Sequence, residues 1–577
     1  MQKSVEAFIA STRKKLKAFR KNQLGSVTQI TAIAALPMFL AAGAAIDTVR
    51  INREQAAFDA AVDSAVLAIA ADDRASLSGL STSQQAARIV DLEAYARQYM
   101  AENYTPQYGS STDMSVNIAI TGQSIDLTAS HNFPTTIMGM TGVKELNLTS
   151  HAQVMKALRP IELTMVMDTT GSMATNNKIG GAKTAAISLL NTLYGGTLAQ
   201  VPQSEYIRIS LVPFAAAVRL NKNASDFSLS WIDTTGLNPL SKLNFTDPTW
   251  NNYTSWGKLK TSSSAFLSWN GCVEARARGV AAGGTDYNVN DTAPTIANVN
   301  TLFPAYFSPD TPKNSSGSSG AYGYDYIGTS GSPNETTGLT TVQKNDYTDP
   351  GLLLKQKNQA IYLNLVIAAE TPSTTGPWSG CAASAVVPMT FNRANIEAGI
   401  NAMAAEGPTL IAEGLDWGWR TISPGEPFSK VEGTSTIPAA TISPYNDVRW
   451  QKTMVLMTDG DNDLSAGSYG FNGTIYSSYG RGREVLATNR FGSTSDSSKM
   501  TELDNQMLAV CDKIKAQNIS LYVTSFGTGV SAATKARLQA CASKPENYAN
   551  STSSADLQAF FNHIGEDVIN KSIYVSK

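Results

Sequence analysis

The sequence predicts an α/β protein: a doubly wound, mostly parallel sheet carrying a long loop-rich insertion, preceded by an amino-terminal transmembrane helix and a small α+β module. Three observations predict it. Apolar runs at 163–167 and 453–458 each lead directly into an aspartate, Asp168 and Asp459. Continuous apolar runs of this length read as strands buried on both faces. Helical patterns alternate with strand patterns around them, as in a parallel sheet covered by helices. Near the amino terminus, an apolar stretch at 26–46 is long enough to cross a bilayer.

Residues 1–24 form a basic tail, with Lys3, Arg13, Lys14, Lys15, Lys17, Arg20 and Lys21 against Glu6. Residues 25–47 form the expected transmembrane anchor. Some 20 helical residues rise ~30 Å, which spans the hydrocarbon core. Pro37 and Gly43 are tolerated in membrane helices. Basic residues before the span and Asp47 after it orient the amino terminus to the cytoplasm. The span is therefore expected to cross the membrane once, with the carboxyl-terminal part periplasmic or extracellular. A small-residue run at 42–44 would also suit signal cleavage, but the apolar stretch exceeds the usual h-region of ~7–15 residues and favours a retained anchor. Phe58, Val62 and Val66 recur at helical spacing, so one helix leaves the membrane and enters the soluble part.

Residues 48–155 read as a small α+β stalk module. Helix 81–104 opens on a capping box, Ser81 with Gln84, and shows an apolar face at Ile89, Leu92, Ala96 and Tyr99. Segments 115–120, 124–129 and 145–154 alternate like half-buried strands.

The large domain occupies 156–577. Strands are expected at 162–168, 206–214, 452–458 and 519–526. Helices are expected at 179–193, 392–405, 409–421, 501–517, 531–542 and 554–570. Between about 222 and 388 the pattern breaks into Ser, Thr, Asn, Gly and Tyr, with flexible punctuation at 317–320 and 328–332. Trp231, Trp250, Trp256 and Trp269 are too many aromatics for simple disorder, so the insertion is expected to be ordered but loop-rich. Cys272, Cys381, Cys511 and Cys541 all follow the span. An even count outside the cytoplasm reads as two disulfides among three possible connectivities, with local pairing favoured and free buried thiols the alternative. No CxxC occurs.

Asp168 is followed by Thr170 and Ser172 at two-residue steps, and Gly171 suits a sharp turn. The three are gathered at the carboxyl end of a strand, where open α/β sheets place ligands. Carboxylate and hydroxyl oxygens are hard donors fitting Mg²⁺ or a similar cation; a helix cap would use the same residue types. Thr409 at a helix entrance and Asp459 at a second strand end extend the pattern. Together these five residues resemble the von Willebrand factor A (VWA) domain and its metal-ion-dependent adhesion site (MIDAS). The resemblance implies a Rossmann-like fold in which Ser172, Thr170 and Thr409 touch the metal. The aspartates often act through water. One open position is left for an Asp or Glu carboxylate of a protein partner. The cation implied is Mg²⁺, or another divalent cation such as Mn²⁺ or Ca²⁺.

The basic tail, Gly25-Ser26, the span, Asp47 and the Ala-rich helix resemble TadG and TadE-like Flp pilus assembly proteins. Thr28, Gln29 and Thr31 occupy the region where processed pilin-like relatives carry a glutamate, so cleavage at Gly25 is not expected. The two resemblances imply a membrane-anchored, non-enzymatic assembly protein whose partner is a pilus or envelope component. A cell-surface VWA adhesin gripping host or matrix protein is the alternative. Net charge is −2, and with the basic tail set aside the chain is mildly acidic, so nucleic acid is not an expected partner. His131, His151 and His563 stand at no ligand or nucleophile spacing, and neither a GxSxG elbow nor a GxxxxGK[ST] loop occurs. Asp461 and Asp463 could support the metal site from behind, although acidic loop residues are more often merely solvated.

Overall fold

The computed structural model describes residues 24–75, 77, 82–104, 114–121, 124–261, 263, 265–278, 285–309, 362–363, 366–367, 376–464, 476–481 and 496–576. The basic tail, the Ser81 cap and the segments at 317–320 and 328–332 lie outside the described residues. The chain divides into two compact units, one of 1–157 with 573–577 and one of 158–572.

The first unit is built on helix α1 (Leu24–Ala70), which runs 47 residues without a break through Pro37. It is long and apolar enough to cross a membrane. Within the apolar stretch Ile30, Ile33, Met38 and Phe39 are each more than 60% exposed, a face that water would not favour. Further along, Phe58, Val62, Ala65, Val66 and Ile69 are buried. They pack with α2 (Thr82–Asn103) against an antiparallel sheet of β1 (Ser115–Thr121), β2 (Ser124–Pro134) and β3 (Glu145–Leu158). Strand β2 buries every second residue, Ile125, Leu127, Ala129, His131 and Phe133, as half-covered strands do. The edge beyond β3 is taken by the last strand of the chain, β10 (Ile573–Ser576).

The second unit centres on a six-stranded sheet. In chain order its strands are β4 (Ile161–Asp168), β5 (Ile207–Phe214), β6 (Val387–Thr390), β7 (Gln451–Thr458), β8 (Ser520–Phe526) and β9 (Tyr548–Ser551). Their spatial order is β6-β5-β4-β7-β8-β9. All neighbours run parallel except the edge strand β6, which is antiparallel to β5. Strands β4 and β5 are buried at every position and are mostly apolar, with Glu162, Thr164, Arg208 and Ser210 buried among the apolar residues. The edge strands β6 and β9 are four residues each and carry no periodic signal; Pro388 is tolerated in β6 because it lies at an edge. Strand β6 begins inside the segment assigned to the insertion.

One face of the sheet is covered by α3 (Lys178–Tyr194), α4 (Arg393–Ala402) and α8 (Ser554–Ser572), through Ala182, Leu189, Ile396, Phe561 and Ile564. The other face receives α5 (Ile411–Ile422), α6 (Asp496–Ala516) and α7 (Ala532–Cys541). All twelve residues of α5 are buried. A helix lying on a sheet ordinarily keeps one face in water; here the insertion covers it. The Phe303 ring lies 4.7 Å from that of Trp417, and Trp231, Trp256 and Trp269 belong to the same core. Hydrogen bonds line this seam. Arg276 donates to the carbonyl of Asn290 at 2.9 Å, Arg420 to that of Tyr287 at 3.2 Å, and Ser423 to Asp291 at 2.7 Å.

Both local disulfides form, Cys272–Cys381 and Cys511–Cys541, spanning 109 and 30 residues. The first lies within the insertion and the second joins α6 to α7 across β8. Closing such loops in the unfolded chain corresponds to roughly 5 and 4 kcal/mol in the chain-entropy treatment. Replacing Cys511 and Cys541 together by serine should therefore lower the thermal midpoint by several degrees in differential scanning fluorimetry. An unchanged midpoint would show that the bridge adds nothing.

Candidate functional site

Strands β4 and β7 are hydrogen-bonded neighbours, with Met167 opposite Met457, so their carboxyl ends deliver Asp168 and Asp459 side by side. Asp168 is fully buried. Its Oδ1 accepts from the Thr170 backbone N–H at 2.8 Å, and its Oδ2 from the Thr458 hydroxyl at 2.6 Å and the Asp459 N–H at 3.3 Å. Beyond it the chain makes a 3₁₀ turn from Gly171, broken at Thr175 and Asn176, and Ser172 in its first residues returns to the strand ends. The Ser172 hydroxyl donates to Asp459 Oδ1 at 2.6 Å and lies 3.1 Å from the Thr170 hydroxyl.

The second loop is held against the first by backbone. Gly407 O accepts from Gly171 N–H at 2.8 Å, and Thr169 O from Glu406 N–H at 2.7 Å. Thr409 precedes α5 by two residues and is 5% exposed, its carbonyl accepting from Asp463 N–H at 2.9 Å. A Cβ placed on Gly460 would stand 3.4 Å from the Thr409 hydroxyl and 3.8 Å from that of Ser172, so both hydroxyls flank the start of the third loop. The structure thus brings Asp168, Thr170, Ser172, Thr409 and Asp459 to one place. Asp461 is exposed and accepts from the Ser531 N–H at 3.0 Å, just before α7, while the Asp463 N–H bonds the Thr409 carbonyl.

The turn does not work as its glycine implied. Gly171 has an ordinary negative φ, and an added Cβ would make only van der Waals contact with Gly407 O at 3.5 Å. The glycine that the geometry requires is Gly407, whose φ is 79° and where an added Cβ would stand only 3.0 Å from Gly380 O. Asn176 and Asn177, both at φ of 54°, carry the left-handed step into α3.

Burial pushes the Asp168 carboxyl up to about 6, and the charge of Asp459 adds to this against the hydrogen bonds from Thr458 and Thr170. Two carboxylates in a water-poor site repel, and positive charge is what relieves them. Lys178, the first residue of α3, supplies part of it through an ion pair with Asp459 Oδ2. Neither Lys178 nor Thr458 stands out from sequence. Their signals are local: a lysine opening the helix after the loop, and a hydroxyl immediately before the second aspartate.

The donor chemistry fits a hard divalent cation, two carboxylates providing charge and three hydroxyls providing neutral oxygen. Among the described residues no group of three or more His, Cys, Asp or Glu side chains gathers to hold a metal. A site here relies on hydroxyls. The histidines stand elsewhere: His131 is buried in the first unit, 3.1 Å from the Tyr104 hydroxyl, His151 is beside Asp126, and His563 lies in α8.

Residues 25–73 match the family described as Flp pilus-assembly TadE/G-like, so the resemblance read from the amino-terminal region holds over that segment. No curated protein matches the chain. Solved structures resemble it distantly. The pilus adhesin SpaC from Lactobacillus rhamnosus GG aligns at 11% identity and a TM-score of 0.29, over 81% of this chain. This chain spans little more than a third of that adhesin, 37%. The vWF domain of the type V pili tip protein Mfa5 from Porphyromonas gingivalis aligns at 10% identity and a TM-score of 0.29, over 73% of this chain and 98% of that one. Proximal thread matrix protein 1 from the mussel byssus, in a structure with a zinc-occupied MIDAS motif, aligns at 11% identity and a TM-score of 0.18, over 73% and 98%. Likenesses this distant leave the fold and the site to be argued from the sheet itself.

The two glycines should behave oppositely. Gly407→Ala forces a left-handed φ on a Cβ residue against Gly380, and should cost about 1–3 kcal/mol in thermal or denaturant unfolding. Gly171→Ala should stay within about 1 kcal/mol of wild type. Equal losses would contradict this account of the loop.

Proposed function

We propose that this is a membrane-anchored, non-enzymatic assembly protein of the Flp/Tad pilus system, which binds a protein partner through a divalent cation at Asp168, Thr170, Ser172, Thr409 and Asp459. The observation that carries the proposal is the convergence of two buried carboxylates with three hydroxyls at the carboxyl ends of adjacent parallel strands. The TadE/G-like segment at 25–73 supports the pilus system. On this reading the second unit is a VWA domain with a doubly wound sheet. Residues 26–46 span the inner membrane once, the amino terminus is cytoplasmic, and the domain faces the periplasm or the cell exterior.

Ser172, Thr170 and Thr409 would hold the cation directly, with Asp168 and Asp459 supplying charge behind them. When bound, Mg²⁺ or a similar ion offers an open coordination position to an Asp or Glu carboxylate of the partner. The chain's own residues prepare for it. Thr458 and the Thr170 N–H orient Asp168, the Gly407–Gly171 hydrogen bond fixes the two loops, and Lys178 balances Asp459 until a cation competes for the same carboxylate.

Calorimetric titration of the detergent-solubilised full chain with Mg²⁺ should give binding that Asp168→Ala and Asp459→Ala each abolish. Undiminished binding in both variants would remove these residues from the site. Thermal stabilisation by the cation should grow as pH rises through about 6, because below that Asp168 holds a proton that the cation must displace. A pH-independent increment would place the cation elsewhere.

A further inference from the structure

The hairpin joining β2 to β3 in the first unit ends in an apolar tip, with Ile137, Met138, Met140 and Val143 in seven residues. This tip is fastened to the membrane end of α1. The Asp47 carboxylate is fully buried. Its Oδ2 accepts from three successive backbone N–H groups of the tip, those of Thr136 at 3.2 Å, Ile137 at 2.7 Å and Met138 at 2.8 Å. One turn earlier, ~6 Å further into the apolar stretch, Gly43 is buried under Ile137. A Cβ on Gly43 would stand 2.1 Å from Ile137 Cγ2, so only glycine admits the contact.

Gly43, Asp47, Arg50, Glu54 and Phe58 follow one another at helical steps of three and four, and all turn toward this hairpin or the core beneath it. Arg50 closes the seam by donating to Asp47 Oδ1 at 3.0 Å while its guanidinium lies 5.5 Å from the Phe133 ring centre.

Seven backbone N–H groups of the tip have partners within the first unit. The N–H groups of Met140, Gly142 and Val143 donate to tip carbonyls and that of Thr135 to the Lys144 carbonyl, while those of 136–138 donate to Asp47. Gly142 makes the turn possible at φ of 103°. Internal satisfaction is the condition for irregular backbone at the edge of a bilayer, where water is scarce. The side chains, by contrast, face outward: Met140 is 79% exposed and Val143 40%. Ile46 and Val49, at the same height along α1, are 59% and 68% exposed. Lys144 follows the tip and is exposed, where lipid phosphates lie.

We propose that residues 137–143 form an interfacial finger that enters the headgroup–acyl boundary of the bilayer beside the span, seating Met140 and Val143 in lipid. Asp47 is the positioning residue that holds it there. This rests on reading 26–46 as a membrane span, and the occupant is the lipid bilayer because the tip sits level with the end of that span. The finger gives the first unit a second point of membrane contact and fixes its tilt.

The test uses the full chain, with its disulfides oxidised, reconstituted into phosphatidylcholine–phosphatidylglycerol vesicles. Single cysteines replacing Met140, Val143, Phe39 or Asn117 are labelled with an environment-sensitive fluorophore. All four positions are exposed, so labelling leaves the core intact. Labels at 39, 140 and 143 should be blue-shifted and quenched by spin-labelled lipid, while the label at 117 should not. Quenching at 39 with 140 and 143 behaving like 117 would overturn the finger and leave the span standing, assigning the tip to water or a protein partner. Absence of quenching at 39 as well would overturn both.

Discussion

Asp168 and Asp459 are held out of water at the ends of two hydrogen-bonded parallel strands, and much of the second unit answers to that constraint. Uncompensated, two adjacent buried carboxylates would be strongly unfavourable. The chain meets the cost with directed donors: the Thr170 N–H and Thr458 hydroxyl on Asp168, and the Ser172 hydroxyl and Lys178 ammonium on Asp459. The first three come from a strand end or the first turn after it, and Lys178 opens the helix that follows. The sheet therefore fixes the two carboxylates, and the loop before α5 adds Thr409 to them.

The insertion answers a different requirement. By leaving β5 at the site end of the sheet and then folding along α5, it buries the one helix whose preceding loop supplies Thr409. A helix enclosed on all sides has little freedom to tilt or slide. The Gly407–Gly171 contact and the Gly380 approach add backbone restraint at its entrance. The insertion thus contributes rigidity to the site's second loop as well as surface around it.

The central strands and the two aspartates at their ends were legible in the sequence because full burial leaves a mostly apolar run and an abrupt polar end, while Thr409 was legible only as a hydroxyl at a helix entrance. Short edge strands such as β6 and β9 were not, since four residues with a polar face leave no period. The long amino-terminal helix was legible from the spacing of Phe58, Val62 and Val66. Asp47 was visible as a marker after the span, but its partners lie about ninety residues away and no local pattern points to them. Lys178 and Gly407 were hidden for a similar reason. Their roles are set by neighbours brought together in space, while the glycine that local pattern favoured, Gly171, proved conformationally ordinary.

The central claim is that these paired strand ends exist to hold a cation. Diffraction from crystals of the protein grown with Mn²⁺, recorded for anomalous signal, tests it most directly. The account predicts one strong peak bordered by the hydroxyls of Ser172, Thr170 and Thr409 and facing Asp168 and Asp459. A saturating Mn²⁺ soak that leaves this position without a peak, with Lys178 still on Asp459, would contradict it.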